Sequence, residues 1–280
     1  MTRSEDFPDW DEFVKYINEI RPPKDCHGNI RPLLFRGHSN CDWKLETTLE
    51  RTNSAPMSVI GYYRYAEAAR LKIESFKECH WQVQPIDEVE KGLRDPVMVN
   101  NQFLIHLGAA GTIPNYEYLV YLRHHGFPSP LMDWTRSIYI AAFFAFRNAR
   151  NKPASIVVLN ESPDGLKLRA SYGSIYRLDE NVRAHRRHLL QQSNYTISIR
   201  LNGESEWEFF SHEDSMSSLE DAMQNGVPQR QDEILKANFD PRVATKMMGI
   251  LDEMNINAYS LFASDEALME TLAARLSKAK

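Results

Sequence analysis

Residues 123–146 read RHHGFPSPLMDWTRSIYIAAFFAF, and this stretch limits the fold more narrowly than any other part of the chain. Ile138–Phe146 carries no charge and is apolar all round, so a helix there has no face to show to water and must be covered on every side. Ala141, Ala142 and Ala145 keep one side of that helix thin, which allows close packing on a sheet. The entrance is not that of a plain core helix. Gly126, Pro128 and Pro130 force a rigid, irregular approach, and Asp133-Trp134-Thr135 stands where a helix beginning near Ser137 would be capped. Either Asp or Thr is simply that cap and Trp134 is core, or the helix N-terminus and a polar side chain meet an anion or a ribose.

A fully buried helix needs a body around it, and 280 residues with 42% hydrophobic and 25% charged side chains supply one large domain or two small ones. No internal repeat or low-complexity tract divides the chain, so the expectation is one continuous domain over 1–280: a helical segment over 8–30, a core over 31–210 and a helical part over 230–280. Trp10, Phe13, Val14 and Ile17 behind Asp9 predict a first helix. The run RPLLFRGHS predicts a buried strand closing on Gly37, with Arg36 at its end. Helices are expected over 61–79, 116–125 and 137–150, strands over 154–160 and 194–201, and packed helices at the end around Ile234, Leu235, Met247, Ile250, Leu251, Leu268 and Leu272. The class is α+β, helices around a modest sheet.

A formal charge of −5 with scattered basic residues gives no field for nonspecific nucleic-acid binding. Cys26, Cys41 and Cys79 are an odd number without metal or redox spacing, so neither a disulfide framework nor a metal site is expected. With no apolar signal core and no run near the ~20 residues a membrane helix needs, the expectation is a cytoplasmic protein without membrane contact.

Three stretches can carry chemistry. Arg36 ends an apolar run, where an unpaired guanidinium is costly, so it meets either a structural carboxylate or an anionic ligand; Gly37 lets backbone approach that ligand. Residues 183–197, RAHRRHLLQQSNYTI, hold the densest positive patch: Arg183, Arg186 and Arg187 are either a solvated connector or the rim of a phosphate-bearing substrate's site, with Gln191 or Gln192 on a strand edge facing it. Glu204, Glu206 and Glu208 alternate, so they share a strand face or lie in a polar loop. The His124-His125 pair lacks a third ligand at sensible spacing, and no phosphate loop or nucleophile elbow is present.

Taken in order, Phe35-Arg36-Gly37, then Trp43, Leu45, Leu49 and Arg51, then HHGFPSPLMDWT, then Arg187, Gln191, Gln192, Tyr195 and Thr196 resemble the FRG-domain family, from about residue 8 to about residue 272. Against the family's middle pattern, Gln-His-Tyr-Gly-Leu-Pro-Thr-Arg-Leu-Leu-Asp-Trp-Thr, the chain keeps His124, Gly126, Pro128, Leu131, Asp133, Trp134 and Thr135. It departs there at Arg123, where the family has Gln, and at Pro130, where it usually has Arg; in the last of the four motifs Ser193 stands in place of a Gly. Arg36-Gly37, and Asp133-Trp134-Thr135 leading into IAAFFAF, are also similar to elements of the arginine-type ADP-ribosyltransferases, whose late Glu falls near Gln191 and Gln192.

That resemblance implies a small mixed sheet surrounded by helices, NAD as substrate and no metal. Arg36, Asp133, Thr135, Gln191 and Gln192 become the catalytic candidates. Arg36, Gly37, His124, Trp134 and Thr135 become the NAD-binding ones, and Arg183, Arg186 and Arg187 those for a nucleic-acid acceptor. Cleaving nicotinamide from NAD needs an Arg for the pyrophosphate, a polar group on the ribose and a carboxylate for developing positive charge. A neutral Gln at the late position does not supply that charge; Asp133 or one of Glu204, Glu206 and Glu208 is the substitute. The expected activity is ADP-ribosyl transfer to a macromolecule, in a toxin or antiphage effector with an antitoxin or inhibitor partner; the alternative is a noncatalytic nucleotide- or nucleic-acid-binding module.

Overall fold

The computed structural model describes residues 3–21, 32–52, 57–93, 111–149, 152–161, 163, 173–203, 206–216, 223–224, 227–228 and 232–278; Cys26, Glu204 and the second half of the expected 8–30 segment lie outside them. The strands in chain order are β1 (Arg3–Phe7), β2 (Leu34–His38), β3 (Met132–Thr135), β4 (Ala154–Asn160), β5 (Ser174–Arg177), β6 (Ser193–Leu201), β7 (Trp207–Phe209), β8 (Met223–Gln224), β9 (Val227–Pro228) and β10 (Glu233–Phe239). Eight of them form one sheet in the order β1-β10-β4-β2-β3-β6-β5, with β7 beside β6, while β8 and β9 form a separate pair. Only β1 and β10 run parallel; the other pairings are antiparallel.

The α+β class is observed, but the sheet is larger than the small core expected. The difference comes from the two ends of the chain. Ile234 and Leu235, expected in a helix, lie in β10, where they alternate across the pleat: Ile234 joins one apolar cluster and Leu235 the other. The polar segment Arg3–Phe7 is a strand because β10 offers it an edge, not because of its own pattern.

Helices cover the sheet: α1 (Trp10–Ile20), α2 (Val59–Lys77), α3 (Ile86–Leu93), α4 (Tyr116–His124), α5 (Ile138–Phe146), the single turn α6 (Arg187–Leu190), α7 (Pro241–Glu253), α8 (Ala258–Phe262) and α9 (Asp265–Lys278). Helices α1, α5, α7 and α8 bury their apolar faces with Phe35, Ile156, Val158 and Phe239 in one cluster. Helices α2, α3 and α4 pack against β5, β6 and β7 in another. β4 is buried at every position because both its faces are covered, Ile156 and Val158 on one side, Val157 and Leu159 on the other. Asp9 caps α1 as the sequence suggested, its side chain accepting from the Glu12 amide at 2.9 Å. Gly126 follows α4 with φ 81°, a left-handed turn that glycine adopts without a Cβ clash.

The cap of α5 differs from the expectation. Asp133-Trp134-Thr135 is strand, and Ser137 is the cap: its Oγ accepts from the Ile140 amide at 3.3 Å, while Thr135 Oγ1 accepts from the Ser137 amide at 3.2 Å. Gly37 also has a different role. It lies inside β2, and a Cβ built there would sit 2.2 Å from the Ala141 carbonyl oxygen and 2.4 Å from the Ala145 nitrogen. The missing side chain lets the thin alanine face of α5 rest directly on β2.

Candidate functional site

β2 and β3 pair at one position, Phe35 opposite Thr135. Past it the ladder stops, and a cleft of about 410 Å³ opens there, within the size range of small-molecule sites. Arg36 spans the gap. Its Nη1 donates to the Asp133 carbonyl at 2.8 Å and to Asp133 Oδ1, and its Nε donates to His38 Nε2 at 3.3 Å. Arg123, at the end of α4, donates through Nη2 to the same Oδ1. Both guanidinium groups are mostly buried, whereas the Asp133 side chain is 45% exposed. Oδ2 of Asp133 accepts from none of the described residues, so this half of the carboxylate faces the cleft.

Burial pushes the Asp133 pKa upward, but the charges of Arg123 and Arg36 and their hydrogen bonds outweigh it and hold the carboxyl well below the usual range. It is ionised and held at one oxygen. Arg187, from α6, also lines the cleft, with its guanidinium 5.4 Å from the Phe262 ring centroid. Nε of Arg123 and Nε of Arg187 are buried without a hydrogen-bond partner among the described residues. Three guanidinium groups therefore face a cleft with one lining carboxylate among the described residues, leaving net positive charge in a half-enclosed space.

His38 and His124 are neutral at this site. Burial, then the Arg36 charge, lowers His38 to about 3, and burial lowers His124 to about 4 despite the attraction of Asp133. His188 Nε2 lies 2.9 Å from the Glu180 carbonyl oxygen, which only accepts, so Nε2 donates to it, and Nδ1 lies 3.4 Å from the Tyr195 hydroxyl. The same hydroxyl lies within hydrogen-bond distance of His124 Nε2, at 2.9 Å.

The structure brings together Arg36, Gly37, His124, Asp133, Trp134, Thr135, Arg187 and Gln191. Within that group Trp134 serves as wall, its indole N–H donating to Thr196 Oγ1 at 2.8 Å, and the Gln191 amide docks α8 by donating to the Leu261 carbonyl at 3.1 Å. Gln192 is not on a strand edge facing the cleft: it is an exposed residue with φ 47° between α6 and β6, its carbonyl accepting from the Arg136 amide. Arg183 lines other cavities, with Trp81 and His185, and Arg186 donates to the Ala263 carbonyl, so of the basic patch only Arg187 reaches the cleft. Glu208 pairs with Arg200 away from it.

Sequence reasoning missed Arg123, Tyr195, Phe144 and Phe262 as parts of the site. Arg123 carried a signal, since it stands next to His124 at the head of the motif on which the resemblance rests. The aromatics carried none, because a cleft-lining Phe and a core Phe look alike in sequence.

No curated protein and no solved structure matches the chain. The family model of the FRG domain matches residues 31–154. The Phe35-Arg36-Gly37 strand, α4 with Arg123, the Asp133-Trp134-Thr135 strand and α5 all fall inside that span, so this part of the chain is similar to the FRG domain.

Proposed function

We propose that the protein binds a phosphate-bearing nucleotide in this cleft, NAD being the ligand that the resemblance to ADP-ribosyltransferases singles out. The observation that carries the reading is the imbalance of charge: Arg36, Arg123 and Arg187 against Asp133 as the one lining carboxylate among the described residues. Unbalanced positive charge in a half-enclosed cleft is costly until an anion with several acceptor oxygens meets it, and phosphate is such an anion. Aromatic walls and hydroxyls at Thr135 and Ser193 add surfaces for a base and a sugar, which a bare phosphate would not use.

ADP-ribosyl transfer from NAD to a macromolecule is the second reading. It is favoured by the convergence of Arg36, Thr135 and Gln191 in one cleft and by the open Oδ2 of Asp133, a carboxylate oxygen available to developing positive charge. Nucleic acid is the acceptor favoured by the adjacent Arg183–His188 segment. A toxin or antiphage role with an antitoxin partner belongs to this second reading.

Calorimetric titration with NAD, ADP-ribose and ADP tests the first reading. Arg187→Ala should weaken binding about 10- to 150-fold, since hydrogen bonds to charged groups contribute about 1.5–3 kcal/mol. Wild-type protein that binds none of the three at millimolar concentration refutes it. Nicotinamide release in the same samples supports transfer; binding without release over hours leaves the binding module.

A further inference from the structure

Trp43 stands apart from the other four tryptophans. Trp134 and Trp207 are buried and Trp10 and Trp81 partly covered, but Trp43 is 49% exposed while lining the cleft. A single exposed aromatic is ordinary on a protein surface, so exposure alone assigns nothing. The fastening of its main chain is the informative part. Ser39 Oγ donates to the Phe144 carbonyl at 3.3 Å, the Cys41 amide to the Pro153 carbonyl at 2.9 Å, and the Trp43 amide to the Asn40 carbonyl at 3.2 Å. Lys236 Nζ donates to the Trp43 carbonyl at 2.7 Å, and the Leu45 amide to the Glu213 carboxylate at 3.1 Å. The loop after β2 is thus tied to α5, to the start of β4, to β10 and to the 211–216 segment.

A large, flat, half-exposed ring is therefore presented to the cleft from a fixed backbone, an arrangement that lowers the ordering cost of binding. Its edge rests against the buried His38 ring, with centroids 6.1 Å apart and planes at 62°. His38 Nε2 is the acceptor of the Arg36 Nε bond. One side chain thus separates the stacking surface from the nearest guanidinium, which is how a base and its phosphates are spaced along a nucleotide.

We propose that Trp43 is the base-stacking residue of the cleft: one aromatic ring of the bound nucleotide lies on its indole while the phosphates meet Arg36, Arg123 and Arg187. This rests on the nucleotide reading above and adds a specificity to it. A ligand with phosphates but no base gains nothing from Trp43.

The test is calorimetric titration of NAD, ADP and inorganic pyrophosphate into wild-type, Trp43→Ala and Trp43→Phe proteins whose thermal midpoints agree. Base–aromatic stacking contributes about 1–3 kcal/mol per base, so Trp43→Ala should bind the nucleotides about 5- to 150-fold more weakly. Trp43→Phe should keep most of the affinity, and pyrophosphate should bind all three proteins equally. Loss for both nucleotides puts adenine on the ring; loss for NAD alone puts nicotinamide there. Unchanged nucleotide affinity in Trp43→Ala, or an equal loss for pyrophosphate, overturns the stacking role while the nucleotide cleft stands. Failure of wild-type protein to bind any of the three removes both.

Discussion

Gly37→Ala separates two explanations of the glycine in Phe-Arg-Gly. A Cβ at this position would lie 2.2 Å from the Ala141 oxygen, 2.4 Å from the Ala145 nitrogen and 2.9 Å from the Phe144 carbonyl carbon. All three are main-chain atoms of α5, so no side chain can rotate out of the way. Restoring ordinary carbon contact distances, about 3.5–4 Å, requires the helix to retreat by about 1 Å or more. Retreat is blocked on the far side, where α5 shares a cluster with Phe13, Phe239 and Met247. Overpacking in a filled core typically costs about 1–3 kcal/mol, and rigid backbone on both sides of the clash puts this case at the upper end or beyond. For a chain of this length, 3 kcal/mol corresponds to a fall of about 6–12 °C in thermal midpoint. Urea unfolding followed by circular dichroism, with thermal scans, reads the change directly. If Gly37 were instead there to admit a ligand to bare backbone, Gly37→Ala would unfold with the wild type, within about 0.5 kcal/mol, and lose nucleotide affinity alone. That result would refute the packing argument.

Ser137→Ala removes the cap of α5 and should cost about 1 kcal/mol, read as a lower urea midpoint at unchanged slope, because an N-cap hydroxyl satisfies an amide that otherwise has no partner. His38 and His124 should make the protein less stable in mild acid. In the folded state they take up protons only near pH 3 and pH 4, whereas the unfolded chain takes them up near 6.5, so between 6.5 and about 4 the unfolded state binds more protons. Stability should fall with decreasing pH through that window, by up to about 1.4 kcal/mol per pH unit for each histidine, and His124→Gln should flatten its share of the slope. A slope unchanged in His124→Gln would show that His124 is already charged in the folded state.

Much of the framework was legible because it rests on local patterns: the Asp9 cap with Phe13 and Ile17 on one helix face, the uninterrupted β-branched run of β4, the charge-free α5. What escaped is set by partners distant in sequence. Arg3–Phe7 has one buried side chain, Phe7, and becomes a strand only beside β10. Glu233–Phe239 does alternate, but Ile234 and Leu235 are both buried because covered faces lie on both sides of the sheet, and adjacent buried residues also read as a helix. The site divides the same way. Arg36, Asp133 and Thr135 were visible as polar residues where apolar elements begin or end, whereas Arg123 entered as a departure from a motif and the Phe144–Phe262 contact joins residues far apart in sequence.

The sequence left open whether Arg36 meets a structural carboxylate or an anionic ligand, and the geometry makes these one role. Where β2 parts from β3, the Asp133 carbonyl has no strand amide opposite it in a regular ladder, and a carbonyl in that position needs a donor. Arg36 Nη1 supplies it at 2.8 Å and joins the Oδ1 of the same residue, so a side chain continues the sheet where backbone pairing stops. A lysine could not hold the carbonyl, the carboxylate and His38 Nε2 together, since its donors radiate from one atom instead of spreading along a planar fork. Holding the strands this way places a permanent positive charge beside the opening, and Arg123, needed to complete the grip on Asp133, brings a second. With a single carboxylate between them the two cannot be neutralised locally. The ion pair that closes the sheet therefore also leaves the cleft charged for an anion.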